Sequence, residues 1–537
     1  MNRSVLNGSI WPVAVLAALI CLAVFARAYH CDFVNWDDQN YVSNNTAIRT
    51  LDWNFFRWAF TEAYLGWWMP LTWFSFAVDY AMWGLNPAGY HLTNILLHAA
   101  NTGLVVLIAG SLFREHLDSG RGGLLYPGIL LLAGLAWGIH PMRVESVAWV
   151  TERKDVLNGL FALLSLLFYL NYTKNREAFT GGNRLCYFLS IIFFALSLMA
   201  KSVSVVMPVV LLVLDWYPLR RLTSSCWRKI LVEKLPYAIL SLAMITVTLS
   251  LAMQHKIVVS GLSLSQRAQI SGNAIFEYVR LFFLPVDIIP LYIITDPIPP
   301  AFLIKSVVVL VAIIFMLLIR KKFPGITATM LLFLLPLLPT LAFTQNGIQS
   351  MAMRFTYLPS LAVVLSLSLL LCRSMPGLEK TATRNMVAAV FLGCFLLLGA
   401  YGVATIRQIG VWKDSAAMWT RVIEYQPFDR AFFYRGLHYS DKGNFEAAIA
   451  DYSTTLAIFQ KEGMPGGSNI LAFRGEAFAG AGRYREAVAD LSAAIESSPQ
   501  PLYYYHRSLA FRKLGMTAEA DADLTKAGNA SGKMQWF

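Results

Sequence analysis

Charged residues are scarce in this chain, and their scarcity excludes an ordinary soluble globular protein. Asp, Glu, Lys and Arg make up only 14% of the 537 residues, whereas about a quarter of an average soluble domain is charged. Hydrophobic residues reach 57%, and the mean hydropathy is +0.52. Because about 20 apolar residues in a helix cross the hydrocarbon core of a bilayer, the recurring apolar runs predict a polytopic membrane protein.

Cysteine is also scarce, and its placement argues against a disulfide scaffold or a cysteine metal site. The six cysteines stand singly along the sequence, without metal-ligand spacing. Basic residues outnumber acidic ones by 44 to 32. They gather in short clusters between apolar runs, as at a cytosolic membrane surface, so the net charge of +12 calls for no nucleic-acid partner.

The apolar runs and the basic clusters together predict eleven transmembrane helices. Clusters such as Arg114 with Arg121 are taken as cytosolic, which places the C-terminal part of the chain outside. The predicted spans are 10–29, 90–113, 124–139, 155–171, 185–200, 203–217, 235–254, 302–319, 326–343, 355–372 and 385–405. The first is interpreted as a retained helix, with a cleaved signal peptide as the alternative. Two other apolar stretches, 53–83 and 274–294, are predicted to lie flat on the outer face.

After Tyr401 the sequence changes to a repeating helical pattern. Three segments align on Gly443, Gly482 and Gly515, which are 39 and 33 residues apart, and an insertion at 463–467 accounts for the longer interval. A period near 34 is the signature of tetratricopeptide repeats, and residues 415–425 are predicted to cap this array against the membrane domain. The predicted fold is therefore all-α, with a polytopic transmembrane helix bundle over 1–406 and a tetratricopeptide-repeat α-solenoid over 407–537.

Two adjacent acids, Asp37 and Asp38, follow the first span in a segment that also contains Trp36. Like charges beside a low-dielectric medium raise the pKa of one carboxyl, which suits a general base. The same pair could instead hold a divalent metal such as Mg²⁺ or Mn²⁺. An Asx-rich turn is the alternative without chemistry. Trp36 is a candidate for stacking on a sugar, although anchoring at the interface is the commoner role of such residues.

Polar residues on the second span recur every three or four positions, namely His91, Asn94, His98 and Asn101. They share one helical face, which is predicted to point into the bundle. Such residues either contact a substrate or form hydrogen bonds between helices.

Ionisable side chains crowd the connection that follows the third span. They include His140, Arg143, Glu145, Arg153, Lys154 and Asp155. Apolar residues are interleaved with them, as a solvated loop would rarely allow, so a half-buried lining segment is predicted. Its cations suit an anionic headgroup.

Two further cations, Lys201 and Arg354, stand at the predicted outer ends of spans, the latter shortly before Tyr357. Snorkelling is the plain alternative for Lys201. The paired acids and the scattered cations are predicted to share one side of the membrane. There an acid would activate an acceptor hydroxyl, and the cations would stabilise charge on the phosphate that departs from a lipid donor.

Several motifs resemble the transmembrane and tetratricopeptide-repeat protein family. They are Asn35-Trp36-Asp37-Asp38 with Tyr41-Val42, Pro70-Leu71-Thr72-Trp73, the stretch from Gly84 to Asn94, His140-Pro141 through Asp155, and Arg354 to Pro359. The resemblance extends over nearly the whole chain, and its most specific part is the block 145–155. The membrane domain resembles the C-type glycosyltransferase superfamily, and the three repeats make the chain more similar to short bacterial relatives.

The resemblance implies an inverting glycosyltransferase of the bacterial inner membrane with periplasmic repeats. It implies a polyprenyl-phosphate sugar donor in the lipid phase and a protein or glycan acceptor that the repeats recruit. Asp37 and Asp38 would supply the catalytic carboxylate, and the donor phosphate would be held by Arg153, Lys154, Lys201 and Arg354. The cavity would be lined by Trp36, His91, Asn94, His98, His140, Arg143, Glu145, Asp155 and Tyr357. Arg143 stands where many relatives would have a histidine, which leaves the roles in its loop open.

Two other functions fit the same pattern. A non-enzymatic membrane scaffold or lipid-linked-sugar flippase would use the repeats to dock partners and the polar stripe to guide a headgroup. A polymerase or ligase of outer-surface glycans would share the lipid donor but use a glycan acceptor.

Overall fold

The computed structural model describes residues 3–113, 125–174, 181–254, 261–343, 347–374, 381–464 and 467–534. Arg114 and Arg121 of the predicted cytosolic cluster, and part of the predicted insertion at 463–467, lie outside these ranges. The chain divides into two compact units. The membrane unit comprises Met1–Phe33 and Asp38–Trp412, and the repeat unit comprises Val34–Asp37 and Lys413–Phe537.

Helices build both units. In the membrane unit they are α1 Arg3–Phe25, α2 Trp53–Thr61, α3 Pro70–Trp83, α4 Pro87–Leu112, α5 Leu125–Gly138, α6 Val144–Ala148, α7 Arg153–Thr173, α8 Gly181–Ala200, α9 Met207–Trp216, α10 Trp227–Gln254, α11 Leu264–Phe283, α12 Pro300–Leu318, α13 Pro324–Leu337, α14 Ser360–Ser374 and α15 Thr381–Ile409. In the repeat unit they are α16 Ser415–Tyr425, α17 Asp429–Asp441, α18 Phe445–Glu462, α19 Ser468–Gly480, α20 Tyr484–Ser497, α21 Pro501–Lys513 and α22 Thr517–Ala527. Strands β1 Tyr292–Ile293 and β2 Gln349–Met351 form a small antiparallel pair.

The long apolar helices confirm a multi-pass membrane protein. Six segments of the described chain are long and apolar enough to cross a bilayer, namely Ile10–His30, Pro87–Leu112, Val150–Thr173, Trp227–Gln254, Pro300–Lys321 and Asn385–Trp412. Five shorter apolar helices lie at Tyr126–Gly138, Arg184–Ala200, Ser202–Trp216, Pro324–Thr340 and Ser360–Ser374. Each of these segments overlaps one predicted span. The all-α fold prediction is confirmed, whereas the side of the membrane that each loop faces stays a prediction.

Helix α4 lies at the centre of the membrane unit, where it packs against α1, α5 and α7. Small residues permit this close approach. A Cβ atom at Gly138 would lie 2.4 Å from Thr102 Oγ1, and one at Gly134 would lie 2.5 Å from Val106 Cγ2. Close contact between backbones is the usual way in which helices associate inside a membrane.

The predicted span 355–372 begins too early. Residues Met353–Thr356 form a 3₁₀ turn, and α14 begins only at Ser360. Pro359 explains the difference, because a proline disfavours the helical conformation in the residue before it. Arg354 and Tyr357 therefore lie on an irregular connection that follows β2, and not on the helix itself.

The repeat unit confirms the three predicted helical pairs, α17 with α18, α19 with α20, and α21 with α22. The turn glycines Gly443, Gly482 and Gly515 adopt φ values of +77°, +79° and +79°, a left-handed conformation that favours glycine. Residues 415–425 form the predicted helix α16, which packs on α17.

An arginine–aspartate pair recurs in each repeat. In every pair Nε and Nη2 of the arginine donate to the two carboxylate oxygens at 2.6–2.9 Å, in Arg435 with Asp451, Arg474 with Asp490 and Arg507 with Asp523. Nη1 donates to a hydroxyl on the preceding helix at 2.8–3.0 Å, namely Thr420, Ser453 and Ser492. Because Thr420 lies on α16, this helix takes the place of the second helix of a preceding repeat.

The half-buried carboxyl of Glu476 in α19 makes the stability of the repeat unit depend on pH. Burial raises the pKa of Glu476 to about 7 from an ordinary value of 4.5. Between these values the folded chain binds more protons than the unfolded chain, so stability falls as pH rises from 4.5 to about 7 and levels off above it. The Glu476→Gln variant lacks this dependence. Its free energy of unfolding, measured relative to that of the natural chain, should therefore be about 1–3 kcal/mol higher at pH 8 than at pH 4.5.

Hydrogen exchange of α19 in the full chain measures this difference. His506 also titrates in this range, because burial lowers its pKa to about 4. Because His506 Nδ1 lies 4.0 Å from Glu476 Oε1, the two groups are coupled, so both chains in the comparison carry His506→Asn, which removes the contribution of His506. A gain that is the same at pH 4.5 and pH 8 would contradict the expectation.

Candidate functional site

The connection from His140 to Arg153 forms the centre of the candidate site, and every residue in it is buried. It consists of three short helical turns, Pro141–Arg143, Val144–Ala148 and Val150–Glu152. The ring of His140 caps the first turn, where Nδ1 accepts a hydrogen bond from the backbone N–H of Met142 at 3.2 Å. The segment is thus more deeply buried than the predicted half-buried lining.

Three of the four predicted donor-binding cations meet around one carboxylate, that of Glu152. Lys154 Nζ lies 3.2 Å from Glu152 Oε1, Lys201 Nζ lies 3.3 Å from Oε2, and Arg354 Nε lies 3.3 Å from Oε1. Two more acids complete what we call the Glu152 cluster. Lys201 Nζ contacts Asp155 Oδ1 at 2.5 Å, and Arg354 Nη1 pairs with Glu145. The cluster thus joins Glu145, Glu152, Asp155, Lys154, Lys201 and Arg354.

Burial and charge act in opposite directions on the carboxyl of Glu145. Burial raises its pKa, and the neighbouring Arg354 partly opposes the rise. The acids of the cluster also raise the pKa of Arg354 against the effect of its own burial. Arg354 therefore stays charged beside these acids.

Within the part of the chain that the structure describes, Arg153 forms no ion pair with the carboxylates of the Glu152 cluster, and it has a separate set of partners. Its side chain is fully buried and pairs with Asp79 at 2.6 Å. It also donates to Ser75 Oγ at 2.5 Å, to the Tyr90 carbonyl at 2.8 Å and to Asn94 Oδ1. This placement favours a structural role for Arg153 over the predicted binding of a donor phosphate.

The structure brings Asp38 next to the same connection. Its side chain is 1% exposed, and Oδ1 accepts hydrogen bonds from the backbone N–H of Thr151 at 2.9 Å and from Thr151 Oγ1 at 2.5 Å. Lys154 Nζ lies 4.8 Å from the ring centre of Tyr41, three residues after Asp38. Asp38 thus lies against the buried connection within the membrane unit, whereas the predicted convergence of both acids with Lys201 and Arg354 stays a prediction.

Asp37 is half-buried and belongs to the repeat unit, as does the segment before it. Asn35 holds this segment in place. Its backbone N–H donates to Ser415 Oγ at 2.8 Å, its Nδ2 donates to the Tyr434 carbonyl at 2.7 Å, and its Oδ1 accepts from Trp419 Nε1 at 2.8 Å. Trp36 packs against Trp419 with ring centres 5.7 Å apart, so its ring is engaged within the repeat unit.

The polar face of α4 points into the bundle, as predicted, and its hydrogen bonds run between helices. His98 contacts the Tyr357 hydroxyl through Nδ1 and the Gly138 carbonyl through Nε2, each at 2.8 Å. Asn94 Nδ2 donates to the carbonyls of Val147 and Trp149 at 3.2 Å. His91 is also buried on this helix. These contacts favour the alternative of interhelical bonding over direct substrate contact.

Arg143 and His140 also lie in closed surroundings. Arg143 is 1% exposed and donates Nη2 to Thr356 Oγ1 at 2.8 Å, with its guanidinium 5.5 Å from the ring centre of Tyr357. His140 Nε2 contacts the Phe282 carbonyl at 2.9 Å. Both side chains hold the buried connection against neighbouring helices.

A pocket lies beside the Glu152 cluster. Its volume is about 110 Å³. The polar part of its wall contains Asp155, Asn158, Lys201, Ser204, Thr340, Arg354 and Tyr357. The apolar part comes mainly from α7, α9, α13 and α14, with Leu163, Leu166, Met207, Val210, Leu214, Leu332, Leu361 and Leu365 among its residues. The pocket therefore combines charged side chains with a largely apolar wall.

Sequence reasoning missed three polar residues of this wall, Asn158, Ser204 and Thr340. Asn158 Nδ2 donates to the Lys201 carbonyl at 3.0 Å and to Ser204 Oγ at 2.9 Å. It thereby fixes the short connection that carries Lys201. The signal was present in the sequence, because Asn158 follows Asp155 by three residues and so shares its helical face.

The predicted Mg²⁺ or Mn²⁺ site at Asp37 and Asp38 stays a prediction. Among the described residues, His, Cys, Asp and Glu nowhere form a group of three or more that could hold a metal ion. One carboxylate oxygen of Asp38 already accepts two hydrogen bonds from Thr151.

Comparison with known proteins gives partial matches. No known family profile matches the chain. The sequence is 33% identical over 169 residues to protein O-mannosyl-transferase tmtc2 of Xenopus laevis, which covers 30% of this chain and 19% of that protein. It is 30% identical over 208 residues to protein O-mannosyl-transferase TMTC4 of Homo sapiens, covering 36% of this chain and 27% of that protein.

A third relative, protein O-mannosyl-transferase Tmtc1 of Drosophila melanogaster, is 38% identical over 112 residues, which cover 21% of this chain and 12% of that protein. The chain thus matches between about an eighth and a quarter of the length of these relatives. All three come from animals, so the expected bacterial origin stays a prediction. The homologues of this chain are proteins named as O-mannosyl-transferases, in agreement with the family that its motifs resemble.

Proposed function

We propose that this chain is an integral membrane glycosyltransferase that moves a sugar from a polyprenyl-phosphate donor to a protein. The names of its relatives make mannose the first sugar to test. Transfer takes place at the outer face of the membrane, in a bacterial inner membrane with periplasmic repeats, and it inverts the anomeric centre.

The pocket beside the Glu152 cluster is the observation that carries this proposal. Lys201 and Arg354 lie in the same wall as the leucine-rich surface of α7, α9, α13 and α14. A polyprenyl-phosphate donor combines an anionic phosphate with a long hydrocarbon chain. The charged residues of the pocket suit the phosphate through charge-assisted hydrogen bonds, and its apolar wall suits the isoprenoid chain.

The acids of the Glu152 cluster balance the charge of its cations and hold them where an anion can bind. The formal charges of three acids and three bases cancel, which avoids the large cost of leaving an unpaired charge buried. Lys201 is the most exposed cation, at 17% of its side chain. A donor phosphate would take the place of one carboxylate at Lys201, while the other carboxylates keep the cations in position.

The chemistry is a single displacement. Asp37 or Asp38 accepts the proton of the acceptor hydroxyl, whose oxygen forms a bond to the anomeric carbon. The bond from that carbon to the donor phosphate oxygen breaks, and the phosphate leaves with the electron pair. Lys201 and Arg354 stabilise this growing negative charge, which is where fixed cations contribute most to rate.

Removing Lys201 is expected to raise the KM for the donor more than the KM for the acceptor. The Lys201→Ala variant loses a charge-assisted bond worth about 1.5–3 kcal/mol, which corresponds to a rise of about 10- to 100-fold in the KM for the donor. Lys201→Arg should keep much of the affinity. Transfer of labelled mannose from mannosyl-phosphoryl polyprenol by the detergent-purified chain measures this effect.

Lys305→Ala is a matched control, because Lys305 pairs with Glu277 at 2.6 Å and does not belong to the described pocket wall. It should leave the KM for the donor unchanged. An unchanged donor KM in Lys201→Ala would remove Lys201 from the proposed site. The detergent assay also separates transfer from flipping, since a flippase makes no new glycosidic bond in a system without two leaflets.

A further inference from the structure

The segment that carries Asp37 is part of the repeat unit, although it lies far from the repeats in the sequence. This segment, Val34–Asp37, packs with Lys413–Phe537 in one compact unit. Val34 is 2% exposed and Asn35 is 7% exposed, so the first half of the segment is buried. The repeat unit therefore includes one of the two candidate bases.

Asn35 fixes the segment at three points. Its backbone N–H donates to Ser415 Oγ at 2.8 Å, and its side-chain Nδ2 donates to the carbonyl of Tyr434 at 2.7 Å. Its Oδ1 accepts a hydrogen bond from Trp419 Nε1 at 2.8 Å. Ser415 and Trp419 lie on α16 and Tyr434 lies on α17, and these two helices pack against each other. Asn35 is thus held by a packed helical pair.

The same two helices hold the next residue, Trp36. Its ring centre lies 5.7 Å from that of Trp419, and Trp419 stacks on Tyr434 with ring centres 5.1 Å apart. Trp419 itself is only 1% exposed. Consecutive Cα atoms are about 3.8 Å apart, so the position of Asp37 follows directly from that of Trp36.

The surroundings of the Asn35 side chain suit a primary amide. They present one donor, the indole N–H of Trp419, and one acceptor, the carbonyl of Tyr434. An asparagine side chain supplies both an acceptor and a donor, whereas aspartate lacks the donor and alanine lacks both. Replacing Asn35 would leave buried polar groups of α16 and α17 unpaired, which is costly, and would release the segment.

We infer that the repeat unit sets the position of Asp37 through Asn35, which makes Asn35 a positioning residue for sugar transfer. The repeats then contribute to catalysis as well as to recruitment of an acceptor. This contribution to catalysis rests on the proposed function, whereas the anchoring of the segment does not. Misplacing a reacting group by about 1 Å lowers a rate by about 100-fold.

Kinetics of the Asn35→Ala variant test the inference in the detergent-purified full chain. Its kcat should fall by about 10- to 100-fold. The KM for the donor should stay unchanged, because residues 34–37 do not belong to the described pocket wall. Asn35→Asp should not restore the rate, since it cannot donate to the Tyr434 carbonyl. A natural kcat in Asn35→Ala would overturn the inference.

A matched control changes another asparagine of the repeat unit. Asn469 accepts a hydrogen bond from the Tyr503 hydroxyl. Asn469→Ala thus removes a side-chain hydrogen bond from the repeats without touching the anchored segment, and its kcat should equal that of the natural chain. An equal loss of kcat in Asn469→Ala and Asn35→Ala would assign the loss to general damage of the repeats and would overturn the inference.

A double variant separates positioning from a merely structural role. If Asn35 acts through Asp37, adding Asn35→Ala to Asp37→Asn should lower the rate by less than about twofold further. A purely structural defect would reduce the amount of active protein by the same factor in either background. Losses that multiply in the double variant would therefore contradict the positioning role.

Hydrogen exchange tests the anchoring without any sugar transfer. Backbone amides of residues 34–37 should exchange faster in Asn35→Ala than in the natural chain, and at the natural rate in Asn469→Ala. Unchanged exchange in Asn35→Ala would overturn the inference. If the natural chain transfers no sugar, or if Asp37→Asn keeps full activity, the proposed function or its base fails, and the exchange rates still decide whether Asn35 anchors the segment.

Discussion

The Asp37→Asn variant is expected to lose sugar transfer by about 100- to 10,000-fold, the usual contribution of general acid–base catalysis. The two neighbouring acids differ in their surroundings. Asp38 is 1% exposed and accepts two hydrogen bonds from Thr151, whereas Asp37 is half-buried. Because Asp37 is the more exposed of the two proposed bases, its replacement is expected to have the larger effect. Rates of transfer from mannosyl-phosphoryl polyprenol at saturating donor measure the loss.

Asp38→Asn is expected to show a smaller loss, because an asparagine oxygen can still accept both hydrogen bonds from Thr151. Asp52→Asn serves as a matched control in the same loop. The side chain of Asp52 caps α2 by accepting from the N–H of Phe55 at 2.9 Å, and asparagine caps a helix about as well. Its rate should stay unchanged. Full activity in both Asp37→Asn and Asp38→Asn would eliminate the proposed base.

Removal of Arg153 should destabilise the membrane unit by about 3–5 kcal/mol, the usual cost of breaking a buried ion pair by removing one partner. In Arg153→Met, Asp79 would remain buried, at 3% exposure, without its arginine. Thermal unfolding of the detergent-purified chain measures the loss. Removing both charges in Arg153→Met with Asp79→Leu should restore much of the stability.

A less buried ion pair provides the comparison for this prediction. Lys305 has a side chain 30% exposed and pairs with Glu277, so Lys305→Ala should cost no more than about 1 kcal/mol. If Arg153→Met were as stable as Lys305→Ala, the buried contacts of Arg153 would not support the structure, and its role in donor binding would return to consideration.

The helices of this fold were predictable because each depends on local sequence. A run of apolar residues indicates a transmembrane helix, and the recurring glycines Gly443, Gly482 and Gly515 indicate the repeats. The predicted start of α14 was wrong because Phe355, Tyr357 and Leu358 continue the apolar run on the N-terminal side of Pro359. The proline decides the boundary, and hydropathy alone does not register it.

The sequence indicated which residues belong to the site, but it did not indicate which of them contact one another. Charges at the ends of apolar runs indicated Lys201 and Arg354, but their partners depend on how distant segments pack. Arg354 pairs with Glu145, which lies 209 residues away. Adjacent residues also diverge: Lys154 joins the Glu152 cluster while Arg153 turns to Asp79. Successive side chains on a helix point in different directions, and the sequence does not tell which direction faces the pocket.

The contacts of Asn35 lay beyond prediction for the same reason. Its amide bonds to Trp419, 384 residues later in the chain. The motif Asn35-Trp36-Asp37-Asp38 drew attention through its acids, yet its asparagine and tryptophan are held within the repeat unit. The sequence singled out this segment, and the packing shows that its asparagine and tryptophan contact the repeat unit.

Transfer by the purified chain tests the central claim most directly. The detergent-solubilised protein would be mixed with labelled mannosyl-phosphoryl polyprenol and with envelope proteins from cells that lack this chain, and the products would be analysed by mass spectrometry. The account predicts hexose on protein with the natural chain, and at least about 100-fold less of it with Asp37→Asn. Equal amounts of hexosylated protein from the natural chain and from the Asp37→Asn, Asp38→Asn double variant, or none from either, would contradict it.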